Sequence, residues 1–194
     1  MNYHWCHCAD TRNNILVTHR MVGGRLSVAA EYKDIACPKC LKVDEDAAIG
    51  RGIVPFEFRT SFDYVASSDG FLCVSTRVKQ AIEQSHFVGL EFHKVTTKGG
   101  VVIYLAVCNI FVSANEAEFR FEDRCSSCGR WGWTGKLPSQ SAVSLPGRPT
   151  EIFQLDVPLE SGFGRNSLPF ASDLFVRFMR NENFTGFGGV MLQK

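Results

Sequence analysis

Two Cys-x-x-Cys pairs constrain this chain more than any other feature of its sequence. Cys37 and Cys40 flank Pro-Lys, and Cys125 and Cys128 flank Ser-Ser. Two intervening residues allow one tight turn to present both sulfurs to a single metal ion, and two such turns complete a tetrahedral four-thiolate site for Zn²⁺. The sequence therefore predicts one structural zinc site formed by Cys37, Cys40, Cys125 and Cys128, which joins two distant segments of the chain.

Two other interpretations of these cysteines remain open. A redox-active Cys-x-x-Cys usually opens a helix after a strand, whereas residues 41–44 and 129–133 have loop or strand character. The alternative is four unrelated buried thiols. If zinc binds, four thiolates fill its coordination sphere and leave no position for water, so the site supports folding and does not suggest hydrolysis.

The composition indicates a folded protein whose positive and negative charges are nearly balanced. The 194 residues are 45% hydrophobic, and 21 Lys and Arg against 20 Asp and Glu give a net charge of +1. Such a balance supplies no general attraction for a polyanion, so a nucleic-acid partner is not expected. The longest apolar run, Val101–Cys108, is too short to cross a membrane, and the first residues lack the pattern of a secretory signal. We expect a cytoplasmic protein, in which thiols stay reduced.

Two hairpins are the clearest β signals. Residues 15–32 place Gly23 and Gly24 between two short runs with β character, and a glycine pair supplies the positive φ angles of a tight turn. The segments 90–95 and 101–107 flank a second turn. A half-exposed strand is predicted at 118–122. Antiparallel hairpins, together with a few short helices, predict an α+β fold with a discontinuous, zinc-ribbon-like four-cysteine lobe.

Two short helices are predicted, one after Ser75 or Thr76 and one over Ser172–Arg180, because each has an N-capping residue and an apolar face. Each helix is followed by a Phe-x-Gly turn, at Phe87–Gly89 and Phe184–Gly186, and then by a strand. The pattern fits either a duplicated helix–strand unit or a chance recurrence of a common turn.

The remaining connections look irregular. Asp44, Glu45 and Asp46 predict a polar acidic loop, and five of the seven prolines lie between residues 135 and 170. A strand at Ile152–Val157 is expected to interrupt this second connection.

We predict a single domain over residues 1–194. Its zinc lobe combines residues 15–45 with 117–136, and its α+β part combines residues 50–115 with 150–194.

The first residues are rich in potential metal ligands: His4, Cys6, His7 and Cys8. A second metal site is one interpretation, and a frayed terminus that contains such residues by chance is the other, because Cys-x-Cys is not the usual zinc-knuckle spacing. Cys73 and Cys108 lie in predicted strands and are interpreted as buried apolar thiols.

The sequence contains no recognisable catalytic motif, neither His-Glu-x-x-His, Gly-x-Ser-x-Gly nor a P-loop, which predicts a non-enzymatic protein. Arg130, Trp131 and Trp133 follow the second cysteine pair. They could stack on bases, as in a zinc-ribbon nucleic-acid module, but packing of the indoles against the zinc lobe is the favoured interpretation.

The order of these features resembles the double-CXXCG-motif proteins, some of which are immunity proteins of bacterial polymorphic or contact-delivered toxin systems. The resemblance rests on Cys37–Cys40, Cys125–Gly132, Ile152–Leu155, Ser172–Phe178 and Phe184–Met191. It implies two metal-binding knuckles and a protein that binds and neutralises a cognate toxin. It identifies no residue that contacts the toxin.

The first motif departs from the family pattern, because Leu41 occupies the place of its glycine. If the position requires a positive φ, a side chain there costs about 1–2 kcal/mol. The first knuckle is then expected to be looser or differently turned than the second.

Overall fold

The computed structural model confirms the α+β fold. It describes most of the chain, namely residues 2–8, 14–21, 26–55, 58–115, 117, 119–130, 133–135, 139–156 and 169–192.

Short strands and short helices make up the described fold. The strands are β1 (Tyr3–Cys8), β2 (Thr18–Arg20), β3 (Leu26–Val28), β4 (Tyr64–Ala66), β5 (Leu72–Val74), β6 (Leu90–Thr96), β7 (Val102–Cys108), β8 (Phe111–Val112), β9 (Arg120–Glu122), β10 (Trp133–Gly135), β11 (Gln154–Leu155), β12 (Phe170–Ser172) and β13 (Phe187–Met191). The helices are α1 (Glu45–Arg51), α2 (Thr76–Glu83) and α3 (Asp173–Asn181), and 3-10 turns cover Ala30–Ile35 and Gln140–Ala142.

Two antiparallel sheets contain seven of the described strands. One has the strand order β4-β5-β7-β6 and the other β12-β1-β13. In the first sheet, β7 lies between β5 and β6, which α2 connects; in the second, β1 lies between β12 and β13, which α3 connects. The same split arrangement is therefore built twice, and its central strand comes once from the middle of the chain and once from its beginning.

Local chemistry fixes both copies in the same way. The side chain of Ser75 accepts a hydrogen bond from the amide of Val78, and that of Ser172 accepts one from the amide of Leu174, so each serine caps its helix as predicted. The Phe-x-Gly turns also match. Gly89 and Gly186 have φ angles of 106° and 83°. A Cβ atom would come within 2.0 Å of a backbone oxygen at Gly89 and within 2.3 Å at Gly186, so neither position tolerates a side chain.

The predicted hairpins form. β2 pairs with β3 in antiparallel register, although the glycine pair between them lies outside the described residues. β6 pairs with β7 over its whole length, from Leu90 opposite Cys108 to Thr96 opposite Val102. The predicted strand at 118–122 is present as β9, which pairs with β10.

Two sequence-based expectations were wrong, and a third was met only in part. The first residues are not frayed, because β1 is the central strand of its sheet and pairs with β12 and β13. The acidic loop is the start of α1: Asp44 accepts a hydrogen bond from the amide of Ala47, and Glu45 and Asp46 suit the positive end of the helix dipole. The strand expected at Ile152–Val157 is present as the shorter β11, which pairs in parallel with β8, and Val157 lies outside the described residues.

Residues beside the first knuckle belong to a hydrophobic cluster that extends into the β4-β5-β7-β6 sheet. This cluster joins Tyr32 and Val43 to Val65, Phe71 and Leu105, so side chains from both sides of the predicted lobe boundary share one core. The division into a zinc lobe and an α+β part stays a prediction. No described helix combines the length and the apolar character needed to cross a membrane.

A buried carboxylate positions the segment that leads to β2. Asp69 is fully buried and accepts hydrogen bonds from the consecutive amides of Leu16, Val17 and Thr18 and from the Thr18 hydroxyl. Three converging amides form a natural site for a negative charge. Asp69 therefore fixes the start of the β2–β3 hairpin, which precedes the first knuckle, on the β4–β5 turn.

Candidate metal centre

The first cysteine pair lies in a tight turn that a short antiparallel bridge closes. Ala36 pairs with Val43, and the amide of Cys37 donates to the carbonyl oxygen of Lys42 at 2.9 Å. The amide of Leu41 donates to the carbonyl oxygen of Cys37, also at 2.9 Å. Leu41 has a φ of 63°, so the chain enters the left-handed region directly after the second cysteine.

The second cysteine pair repeats this backbone. The amide of Cys125 donates to the carbonyl oxygen of Arg130 at 2.8 Å, and that of Gly129 donates to the carbonyl oxygen of Cys125 at 2.9 Å. Gly129 has a φ of 74°. Both knuckles therefore require a positive φ at the position after the second cysteine. Leu41 thus has the backbone conformation in which a side chain is strained. The first knuckle is therefore not differently turned from the second, and a looser first knuckle stays a prediction.

The structure brings the four predicted cysteines together. Their sulfur atoms all lie within 4.8 Å of one another. The Sγ atoms of Cys37 and Cys125 are 3.8 Å apart, and those of Cys40 and Cys128 are 3.5 Å apart. In a tetrahedron with Zn–S bonds of about 2.3 Å, neighbouring sulfurs are about 3.8 Å apart. The donor set and its size thus fit one tetrahedral, thiolate-bound metal ion.

Two side chains join the knuckles beside the sulfurs. Arg130 donates from Nη1 to the carbonyl oxygen of Val43 at 2.9 Å, and Lys39 donates from Nζ to Ser126 Oγ at 2.6 Å. Each bond starts on one knuckle and ends on the other. Neither contact could be predicted from the sequence, because no motif specifies the Val43 carbonyl or the Ser126 hydroxyl as an acceptor.

The sulfurs differ in exposure. Cys37 and Cys125, the first cysteine of each pair, are 9% and 8% exposed. Cys40 is half-buried, and Cys128 is exposed. The first cysteine of each pair is therefore buried, whereas Cys128, the second cysteine of its pair, is exposed to solvent.

Backbone amides favour the thiolate at the first cysteine of each pair. Hydrogen bonds from the amides of Cys40 and Lys39 lower the pKa of Cys37 to about 6, and those from Cys128 and Ser127 lower the pKa of Cys125. Desolvation and the neighbouring sulfurs raise the pKa of Cys40 to about 12. Four thiolates repel one another, so a bound cation is what allows all of them to lose their protons.

The other candidate ligands do not join a second metal site. His4, Cys6, His7 and Cys8 lie along β1, and among the described residues the four cysteines are the one group of three or more such side chains close enough to hold a metal ion. His4 Nε2 lies 2.5 Å from Asp173 Oδ1. Desolvation raises the pKa of Cys8 to about 12 and raises that of Cys6. Cys73 and Cys108 are buried in β5 and β7, as predicted.

The residues considered for base stacking are only partly described. Trp131 lies outside the described residues, and of Trp133 only the backbone is described, within β10. The Arg130 guanidinium is engaged by the Val43 carbonyl inside the lobe.

Comparison with known proteins adds no relative: no family model matches the sequence, and no curated protein matches it significantly. The resemblance to the double-CXXCG-motif proteins therefore stays a prediction from the motifs.

Proposed function

We propose that Cys37, Cys40, Cys125 and Cys128 hold one structural Zn²⁺, and that the protein is a non-enzymatic immunity protein of the cytoplasm that binds and neutralises a cognate bacterial toxin. The convergence of the four sulfurs supports the metal site. The motifs shared with the double-CXXCG-motif proteins support the role as an immunity protein.

Zinc suits this site better than the other divalent metals of the cell. Thiolate sulfur is a soft ligand, and a tetrahedral set of four thiolates is typical of structural zinc. Each knuckle is formed by residues that are close together in the sequence, but the two knuckles lie far apart along the chain. The ion therefore joins them directly, as long-range packing contacts join other distant segments. Bound zinc then keeps the lobe in one conformation without performing any reaction.

Neutralisation requires no catalytic group in this chain. A protein that covers the active site of a toxin needs an interface of about 800 Å² on each partner. A surface that is rigid before binding loses less entropy when the complex forms, which favours affinity. In this proposal the metal contributes to binding indirectly, by holding the lobe rigid.

Elemental analysis of purified protein tests the metal. We expect one zinc ion per chain, lost when Cys37 and Cys125 are both replaced by Ser. Replacement of zinc by Co²⁺ should give the absorption bands of a tetrahedral four-thiolate site. Metal-free protein with free thiols would contradict the proposal.

Co-expression with the toxin encoded beside its gene tests the role as an immunity protein. We expect cells to survive and the two proteins to purify as a complex. Failure to protect the cells and failure to form a complex would together contradict this role. Retention of RNA or DNA by the purified protein, lost on replacement of Arg130, would instead favour a zinc-ribbon nucleic-acid module.

A further inference from the structure

The two knuckles present different side chains on the same backbone. We define the first tip as Pro38, Lys39 and Leu41, and the second tip as Ser126, Ser127 and Gly129, which occupy the equivalent positions. All six residues are exposed. The second tip is small and polar, whereas the first combines a rigid ring, a cation and a branched apolar side chain.

The second tip shows which side chains the metal-binding backbone needs. Two serines and a glycine there support the same pair of backbone hydrogen bonds that the first tip makes, with lengths that agree to within 0.1 Å. The larger side chains of the first tip are therefore not required by the turn or by the metal-binding geometry.

Leu41 is the least favourable of these residues for folding. Its φ of 63° places a branched residue in the left-handed region, where the side chain costs about 1–2 kcal/mol relative to glycine. Its side chain is 40% exposed and belongs to none of the three hydrophobic clusters of the described chain. Leu41 therefore adds little stability to the fold that could offset its backbone strain.

We propose that the first tip is a contact surface for the protein partner, and that Leu41 inserts into an apolar pocket of that partner. This inference rests on the proposed function as a toxin-binding protein. Backbone strain that the fold does not need is typical of functional positions. An exposed apolar side chain also gains free energy once a partner removes it from water.

Lys39 and Pro38 specify the rest of the complementary surface. Lys39 uses one of its three N–H donors on Ser126 and is exposed, so two donors can face a partner. Carboxylates are their best acceptors. Pro38 has a fixed φ and loses little entropy on binding. The expected partner surface is therefore an apolar pocket with an acidic rim.

Exchange of the tips separates a role in binding from a role in folding. The test variant is Pro38→Ser/Lys39→Ser/Leu41→Gly, which gives the first knuckle the tip of the second. The matched control is Ser126→Ala/Ser127→Ala, which also removes the Lys39–Ser126 hydrogen bond but leaves the first tip intact. Zinc content, thermal unfolding and affinity for the toxin that co-purifies with the wild-type protein are measured on all three proteins.

We expect the exchange variant to keep one zinc ion and to unfold no lower than the control, which loses the same Lys39–Ser126 hydrogen bond, yet to bind the toxin about tenfold or more weakly than the wild type. The control should bind as tightly as the wild type. Unchanged affinity in the exchange variant would overturn the inference while leaving the proposed function standing. Loss of zinc in that variant, or unfolding at a lower temperature than the control, would overturn it as well, because the tip would then serve the fold. If no toxin binds the wild type, the proposed function and the inference both fall.

Discussion

The two knuckles have the same backbone conformation but different side chains. Each uses Cys-x-x-Cys, a positive φ at the next position and a closing hydrogen bond to the residue after that. The second uses Gly129 at the left-handed position, where no side chain is strained, and the first uses Leu41. The comparison shows that the backbone geometry, and not the composition of the turn, places the two sulfurs of each knuckle in the cluster.

The two knuckles also contain residues that join them and residues that do not. Cys37 and Cys125 are buried in the sulfur cluster, and Arg130 and Lys39 tie the two turns together. Leu41 contributes to none of these contacts. Changes to the shared geometry should therefore have large effects, and changes to the residues that differ should have small ones.

Removal of the metal should have the largest effect on both knuckles. A chelator takes away the free energy of zinc binding, which is about 10–16 kcal/mol for isolated zinc fingers and supports folding directly. We expect hydrogen exchange to rise sharply at residues 36–43 and 124–130, while the paired strands β6 and β7 keep their protection. Equal protection of both knuckles with and without metal would show that packing alone holds them.

Replacement of one ligand should have the next largest effect. Cys37→Ser and Cys125→Ser each leave three thiolates, and because the two cysteines are equivalent we expect the two variants to lose zinc and stability to a similar extent. Zinc content and thermal unfolding measure this. Cys8→Ala is the control, since Cys8 lies on β1 outside the cluster, and it should keep its zinc. Full zinc content in Cys37→Ser would contradict a four-thiolate site.

The cluster of four cysteines could be predicted from sequence because the signal is local. Cys-x-x-Cys spacing encodes each knuckle within a few residues, and the same is true of the Ser75 and Ser172 caps and of the 90–95 and 101–107 hairpin. In each case the residues that determine the structure are neighbours in the chain, so no knowledge of the tertiary fold is needed.

The features that sequence analysis missed depend on partners far along the chain. β1 is rich in His and Cys and becomes a central strand only because β12 and β13, at the other end of the chain, pair with it. The bonds from Arg130 to Val43 and from Lys39 to Ser126 join segments that meet only after folding. α1 was missed for another reason: Asp44 signals both a polar loop and a helix cap, and the acidic residues after it were assigned to the loop.

A side chain at the left-handed position of the second knuckle should reproduce the strain of the first. Gly129→Leu places a branched residue at a φ of 74° and should destabilise the zinc-bound protein by about 1–2 kcal/mol. For a chain of this size that is about 2–4 °C in Tm for each kcal/mol. Gly147→Leu is a suitable control, because its position has space for a Cβ and a φ outside the left-handed region. Equal destabilisation by Gly129→Leu and Gly147→Leu would mean that the positive φ does not determine the free-energy cost of the side chain.

The reverse change should give the smallest effect and the opposite sign. Leu41→Gly removes the strain at a φ of 63°, but glycine also gains freedom in the unfolded chain, which offsets part of the benefit by about 0.5–1 kcal/mol. We expect a net stabilisation of about 0.5–1 kcal/mol in thermal unfolding of the zinc-bound protein. Leu41→Ala keeps a Cβ at the same φ and should bring no such gain. A destabilised Leu41→Gly variant would mean that the covered part of the Leu41 side chain stabilises the knuckle by more than its backbone strain costs.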